Sequence, residues 1–253
     1  GTLLDSAPDM LATVNLMRAR RETAPMTLAQ IRPFVSRGAR AMASAAFPAW
    51  TVDEVVDAVP EFLEVYAGEL GKHCAPFAGI SELLEALKAQ GSRWGIVTNK
   101  PEQLARDLLP MLGWQDRCAI LIGGDSLAER KPHPLPLLHA AAVLGVAPSH
   151  CVYVGDDRRD IESARAAGMP SVAALWGYRM ADDDPAAWRD VQTALGGQFV
   201  AWTNTGREDD EIDFQFATVG KTHGFARFGA FLNDLFGVFA GVHTHAHAFN
   251  FAT

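Results

Sequence analysis

The 253-residue sequence is short of cysteine, short of positive charge and without long apolar runs. Its three cysteines, Cys74, Cys118 and Cys151, are odd in number and far apart, with no C-x-x-C. That spacing argues against a disulfide framework and a thiolate metal site, and a reducing cytoplasm is the expected compartment. Against 22 basic residues stand 30 acidic ones, a formal charge of -8. Neither a duplex nucleic-acid footprint nor an anionic-membrane surface is expected from that balance, and a small anionic substrate would need locally placed cations. No stretch reaches the roughly 18 apolar residues of a membrane span, and no basic segment followed by an apolar one marks the start as a signal peptide. Residue 1 is Gly, so a segment upstream is expected to be missing.

What is present is enough for a sizeable core: 49% of the residues are hydrophobic, and the length suits a large domain with a smaller insert. From Asp9 to about Tyr66 apolar residues recur at helical spacing, with Pro25, Pro48 and Pro60 as punctuation, which predicts a small all-helical module over residues 9–75. From Gly79 helices alternate with short apolar strands. Ser81 is the expected cap of the first helix, and Gly91 its stop. Strands are expected at Trp94 to Thr98, Ala119 to Gly123, Cys151 to Gly155 and Ser171 to Leu175. This alternation predicts an α/β fold, a parallel sheet covered by helices on both faces.

The last segment differs. Ten of the fourteen Phe lie at or after Phe199, and four of the eight His at or after His223. A boundary is expected near Gly197, with residues 198–253 an atypical, non-native or disordered tail. Phe225, Phe228, Leu232, Leu235 and Phe239 are spaced for a short apolar helix. His243, His245 and His247 alternate as on one strand face, but nothing near them completes a zinc site.

Ligands of open parallel sheets bind beyond the carboxyl ends of the strands, so the polar residues at strand exits are the candidates. Thr98 and Asn99, followed by Lys100, offer a hydroxyl and an amide to a phosphate, or an ordinary polar turn. Lys131, between Arg130 and Pro132, is a point charge suited to a phosphoryl oxygen or a carboxylate, or a solvated loop lysine. Asp156, Asp157 and Asp160 follow the apolar run at Val152 to Val154. Such carboxylates repel one another unless a cation sits among them, and hard oxygen ligands suit magnesium; helix N-terminal charge accounts for one or two of them. Asp156 and Asp160 are the expected inner pair.

The order Gly1-Thr2-Leu3-Leu4-Asp5-Ser6, then Thr98-Asn99, then Lys131-Pro132, then Gly155-Asp156 with Asp160, resembles the haloacid dehalogenase superfamily, and within it the phosphoglycolate phosphatases. The resemblance covers residue 1 to about Trp188. It implies a Rossmann-like core, residues 1–8 and 76–197, with a helical cap inserted after the first strand. It also implies a mechanism in which one aspartate attacks the phosphoryl group and a second, two residues later, serves as acid and base. In that mechanism Thr98, Asn99 and Thr2 meet the phosphate, Lys131 stabilises the nucleophile and the transferring group, Asp156 holds Mg2+ and Asp160 supports it. The expected partner is a small phosphorylated metabolite. In the loop Arg32 to Ala39, which resembles one that closes over the substrate, Arg37 or Arg32 would meet a substrate carboxylate, and Ser36 stands where Gly is usual.

The family's first motif reads Asp-x-Asp-Gly-Thr, and this sequence begins at the Gly. The first strand and both aspartates are absent, so unpaired strand edges, low stability and no turnover are expected of residues 1–253. A dehalogenase would not need Asp156 and Asp160. A sugar-phosphate mutase would carry Glu-Asp with Gly where Asp160 stands. A non-catalytic module binding a phosphorylated ligand or a protein partner is the alternative outside catalysis.

Overall fold

The structure is a computed structural model that describes residues 1–180, Trp188 and the strand segments 199–204 and 214–219. Strand β1 (Leu4–Asp5) leads into α1 (Ala7–Ala19), whose first turn carries Pro8 and Asp9, a proline and an acidic residue suited to a helix N-terminus. There follow α2 (Leu28–Ile31), a tight 3-10 turn over Arg32–Arg37, α3 (Gly38–Ala46), α4 (Val52–Asp57) and α5 (Val59–Glu69). Thr51 and Glu54 cap α4 reciprocally, each side chain bonding to the other's backbone N–H. Strand β2 (Ala75–Pro76) then returns antiparallel to β1, with Leu4 opposite Pro76 and Asp5 opposite Ala75. The helices between these strands surround Val14, Met17, Ile31, Met42, Phe62 and Tyr66, all buried in one cluster.

Beyond β2, helices and strands alternate: α6 (Ile80–Ala89), β3 (Trp94–Val97), α7 (Glu102–Met111), β4 (Cys118–Ile122), α8 (Leu135–Leu144), β5 (Tyr153–Gly155), α9 (Arg158–Ala166) and β6 (Ser171–Ala174). β3 pairs parallel with β4, and β5 with β6. The expected α/β architecture with parallel strands is therefore present. Ile80, Leu84, Ala105, Leu109, Trp114 and Leu121 pack α6 and α7 around β3 and β4. Leu137, Ala141, Ala164 and Met169 pack α8 against α9. Among the described residues no helix is long and apolar enough to cross a membrane.

Local details depart from the sequence reading. α6 is capped by Gly79 rather than Ser81, because Gly79 adopts φ +78°, a left-handed turn that a β-carbon disfavours, and the helix begins before Ser81 is reached. β3 ends at Val97, one residue early, although Thr98 N–H still bonds Ile122 O at 2.9 Å. The parallel strands do not form one sheet: β3–β4 and β5–β6 belong to separate ladders. The physical reason lies at Val97. Since Thr98 N–H points to β4, the carbonyl of the same planar peptide points the other way. There it accepts from Lys131 Nζ and Tyr153 Oη, both at 2.7 Å, so side chains rather than a strand satisfy that edge. β7 (Phe199–Asn204) pairs parallel with β6, and β8 (Phe214–Val219) antiparallel with β7. Both strands lie within residues 198–253, the segment whose composition differs from the rest, and they continue the β5–β6 sheet. The boundary near Gly197, the apolar helical spacing from Phe225 and the histidines at 243, 245 and 247 lie outside the described residues.

Phe62 is 1% exposed at the centre of the helical cluster, while Val52 is 79% exposed at the start of α4. Phe62→Ala is expected to lower unfolding free energy by about 3–5 kcal/mol and Val52→Ala to change it by less than about 0.5 kcal/mol, read by urea denaturation.

Candidate functional site

Polar residues from four separated stretches converge at the exits of β3 and β5. Lys131, in the loop before α8, is 7% exposed, and Asp160, in the first turn of α9, is 6% exposed. Lys131 Nζ lies 2.6 Å from Asp160 Oδ1, 2.6 Å from Tyr153 Oη and 2.7 Å from Val97 O. An ammonium has three N–H donors, and each has an acceptor here. Burial works against the charged form of Lys131, but the Tyr153 and Asp160 oxygens outweigh it and raise the pKa above the ordinary lysine range. Asn99, at the β3 exit, donates from Nδ2 to Lys131 O at 2.9 Å, so the first and second sequence candidates are joined directly. The Asn99 Oδ1 atom is buried and without a partner among the described residues. Thr98 Oγ1 accepts from Lys100 N–H at 3.2 Å, which folds this loop back on itself.

Asp160 serves two partners at once. Its Oδ2 accepts from the backbone N–H groups of Asp156 and Asp157, at 3.1 and 3.2 Å, while Oδ1 takes Lys131. The backbone passes so close that a β-carbon on Gly155 would collide with the Asp160 side chain. Asp157 caps α9, accepting from Arg159 N–H at 2.9 Å. The three acids are thus sorted by geometry: Asp157 serves the helix, Asp160 the lysine, and Asp156 stands apart.

Asp156 is 5% exposed. Its Oδ1 accepts from Thr2 Oγ1 at 3.0 Å, and its Oδ2 from Tyr178 N–H at 3.0 Å and Ser36 Oγ at 3.2 Å. Gly1 N lies 3.7 Å from Oδ1. Among the described residues no lysine or arginine pairs with it. Burial works against the charged form of its carboxyl, while the Tyr178 N–H, the Thr2 hydroxyl and the charge of Lys131 favour it. A buried carboxylate bonded by neutral donors suits a hard cation. No group of three His, Cys, Asp or Glu side chains gathers into a cage among the described residues, and magnesium needs only one or two carboxylates because it keeps waters and binds phosphate oxygens. Asp156 fits that role; the Asp160 carboxylate is engaged with Lys131 and two N–H groups instead of facing the same point.

The helical unit reaches over this carboxylate. Ser36 touches Asp156, and Ser36 O accepts from Arg159 Nη2 at 2.7 Å. Arg32 pairs with Asp5 at 2.9 Å and lies over the Tyr178 ring at 5.1 Å. Tyr178 Oη in turn donates to Asp5 Oδ1 at 2.6 Å. The site therefore gathers Thr2, Thr98, Asn99, Lys131, Asp156 and Asp160, but Arg37 is exposed at the end of the 3-10 turn. The sequence reading missed Tyr153, Tyr178 and Arg159. One signal was available: the chain has only three tyrosines, and Tyr153 opens the strand β5 while Tyr178 follows the strand β6.

Two expectations follow for this network. Lys131→Met leaves the Asp160 carboxylate buried and unpaired and is expected to cost about 3–5 kcal/mol in chemical denaturation, with part recovered in the Lys131→Met, Asp160→Asn double variant. For Asp5, burial raises the carboxyl pKa, but the Tyr178 hydroxyl, Arg32 and the Ala7 N–H together lower it below its usual value. A lowered folded-state pKa contributes stability that is full above the unfolded value near pH 4 and is lost as the pH falls through the folded one. The thermal midpoint of Asp5→Asn should accordingly fall less steeply than that of the parent chain below about pH 4.

The family described as haloacid dehalogenase-like hydrolase matches residues 1–174. A phosphoglycolate phosphatase of Xanthomonas campestris pv. campestris (strain 8004) is 62% identical over 189 residues, covering 75% of this chain and 86% of that protein. An N-acetylmuramic acid 6-phosphate phosphatase of Pseudomonas aeruginosa is 43% identical over 194 residues, covering 74% of this chain and 84% of that protein. Among solved structures, a predicted phosphoglycolate phosphatase of Haemophilus somnus 129PT superposes with a TM-score of 0.65 at 28% identity, over 75% of this chain and 87% of that one. With the four sequence motifs gathered at the exits of parallel strands, this chain belongs to the haloacid dehalogenase-like hydrolases.

Proposed function

We propose that the chain hydrolyses a phosphate monoester of a small carboxylic acid, with 2-phosphoglycolate the favoured substrate, in a magnesium-dependent reaction in the cytoplasm. The observation that carries this reading is the junction at Asp160, which fixes the Lys131 ammonium on one side and the Asp156 backbone on the other. Support comes from the relatives named phosphoglycolate phosphatase. The isolated cysteines support the compartment.

In this reading the attacking carboxylate comes from the Asp-x-Asp that the family resemblance puts directly before Gly1. That is where it would be needed, since Gly1 N is 3.7 Å from Asp156. A carboxylate oxygen bonds to phosphorus as the ester oxygen leaves with a proton from the second aspartate. Water then cleaves the acyl phosphate, releasing inorganic phosphate and regenerating the carboxylate. Thr98 and Asn99 hold the phosphoryl oxygens, and Lys131 faces the nucleophile and the transferring group with its position set by Asp160. To offer them a proton it must exchange one of its three present acceptors. Asp156 holds magnesium, which when bound neutralises charge on the phosphate oxygens. Thr2 and Ser36 orient the Asp156 carboxylate, and the loop carrying Ser36 shields it from water.

The test is phosphate release from 2-phosphoglycolate by the chain carrying an Asp-x-Asp-ended strand before Gly1. Turnover is expected only with magnesium and is expected to fall by at least about a hundredfold in Asp156→Ala, a loss typical of removing a principal electrostatic group. A folded protein that binds the substrate without releasing phosphate would overturn the catalytic reading.

A further inference from the structure

A phosphorylated acid carries two anions, and the network described above accounts for only one. The second needs a cation near the phosphate loop that is not already neutralised. Of the arginines singled out in the sequence, Arg32 is paired with Asp5 and Arg37 is exposed at the end of its turn. Arg159 is paired with Asp157. Lys131 has its three acceptors.

Lys100 is different. It follows Thr98 and Asn99 directly, its own N–H bonded to Thr98 Oγ1, and it is half-buried where the phosphate loop meets the helical unit. Its Nζ donates to Tyr66 Oη and lies 4.3 Å from the centre of the Tyr66 ring. Among the described residues no carboxylate pairs with it. The acid that influences it electrostatically, Asp9, already accepts from Gly71 N–H at 2.9 Å and His73 N–H at 2.7 Å. Two N–H donors of the ammonium thus remain, beside a phenol that can itself donate. Burial lowers the Lys100 pKa to about 8, partly offset by Asp9 and Cys74, so the group is largely cationic at neutral pH. A bound anion would restore the interaction that burial removes.

We propose that Lys100, with Tyr66, is the specificity site that takes the substrate's carboxylate. Two residues of chain separate Lys100 from Thr98, about 7 Å at full extension, so one loop presents a hydroxyl to the phosphate and an ammonium to the acid. The relatives' names denote phosphate esters of an acid in both cases, phosphoglycolate and N-acetylmuramic acid 6-phosphate. Tyr66 stands on α5 and Lys100 on the β3 exit, so a carboxylate held there would bridge the helical unit and the strand–helix part of the chain. The proposal rests on the phosphatase reading, because it assumes a phosphate seated at Thr98 and Asn99.

The test is calorimetric binding to the full chain with magnesium present, using 2-phosphoglycolate, ethyl phosphate and inorganic phosphate. Ethyl phosphate has a similar size and no carboxylate. The parent chain is expected to prefer 2-phosphoglycolate over ethyl phosphate by roughly tenfold or more, the strength of a hydrogen bond to a charged group. Lys100→Met should bring the two ligands within about twofold while inorganic phosphate binds as before, and Lys100→Arg should retain the preference. Tyr66→Phe, which keeps the ring and removes the phenol oxygen, should reduce the preference and serves if Lys100→Met does not fold. A purely structural role for Lys100 would lower stability and leave the ligand ratio unchanged, and that result would overturn the proposal. If inorganic phosphate binds none of these proteins, the phosphate site itself fails, and the proposal falls with the phosphatase reading rather than on its own.

Discussion

A buried ammonium must place all its donors, and the arrangement around Lys131 is the consequence. Its three acceptors come from three elements: the Val97 carbonyl from the end of β3, the Tyr153 hydroxyl from β5 and the Asp160 carboxylate from α9. Asn99 holds the Lys131 carbonyl from the loop after β3. One side chain thus joins two strand ladders that share no backbone hydrogen bonds. The pairing is costly to break from one side, because either charge alone would be stranded in a low-dielectric setting.

Asp160 extends this constraint to Asp156 through the backbone. By accepting from the Asp156 and Asp157 N–H groups it fixes the turn from β5 into α9, so the direction of the Asp156 side chain is set by a neighbour that binds something else. The two remaining sides of Asp156 are closed by Thr2 and by Tyr178 and Ser36. Close approach requires glycine on both flanks: a β-carbon on Gly177 would collide with Asp156, as one on Gly155 would with Asp160. A carboxylate so enclosed is held in one orientation, which is what a metal ligand needs.

The helical unit is tied to this centre by polar contacts as well as by apolar packing, with Leu108 of α7 and Tyr178 buried in the same cluster as Val14 and Phe62. Arg32 with Asp5, Arg159 with Ser36 O and Lys100 with Tyr66 each cross from one part to the other. Such contacts are individually modest and can exchange with water or ligand, unlike the apolar cluster around Phe62 that holds the helices to one another. The chain's net negative charge therefore coexists with a site rich in local cations, each placed by its own carboxylate except Lys100.

Alternation of helices with short apolar strands was legible in the sequence because period and punctuation are local properties, and it led to parallel strands in an α/β fold. Thr98, Asn99, Asp156 and Asp160 were legible as candidates because they stand just beyond apolar runs, and Lys131 because it sits between a charged residue and a proline turn. Their division of labour was not. Asp156 and Asp160 are equivalent carboxylates on paper, and only the fold shows that Asp160 faces Lys131 while Asp156 turns toward Thr2 and Ser36. Arg37 read as well as Arg32 in the sequence, yet a turn of the 3-10 segment exposes one and pairs the other. Tyr66, Tyr153 and Tyr178 gave no motif, since each meets its partner more than 20 residues away. Residue order by itself determined which elements form and which loops carry polar groups. The tertiary structure decided which of those groups share a neutralising partner, because burial and distance belong to contacts between segments that are remote along the chain.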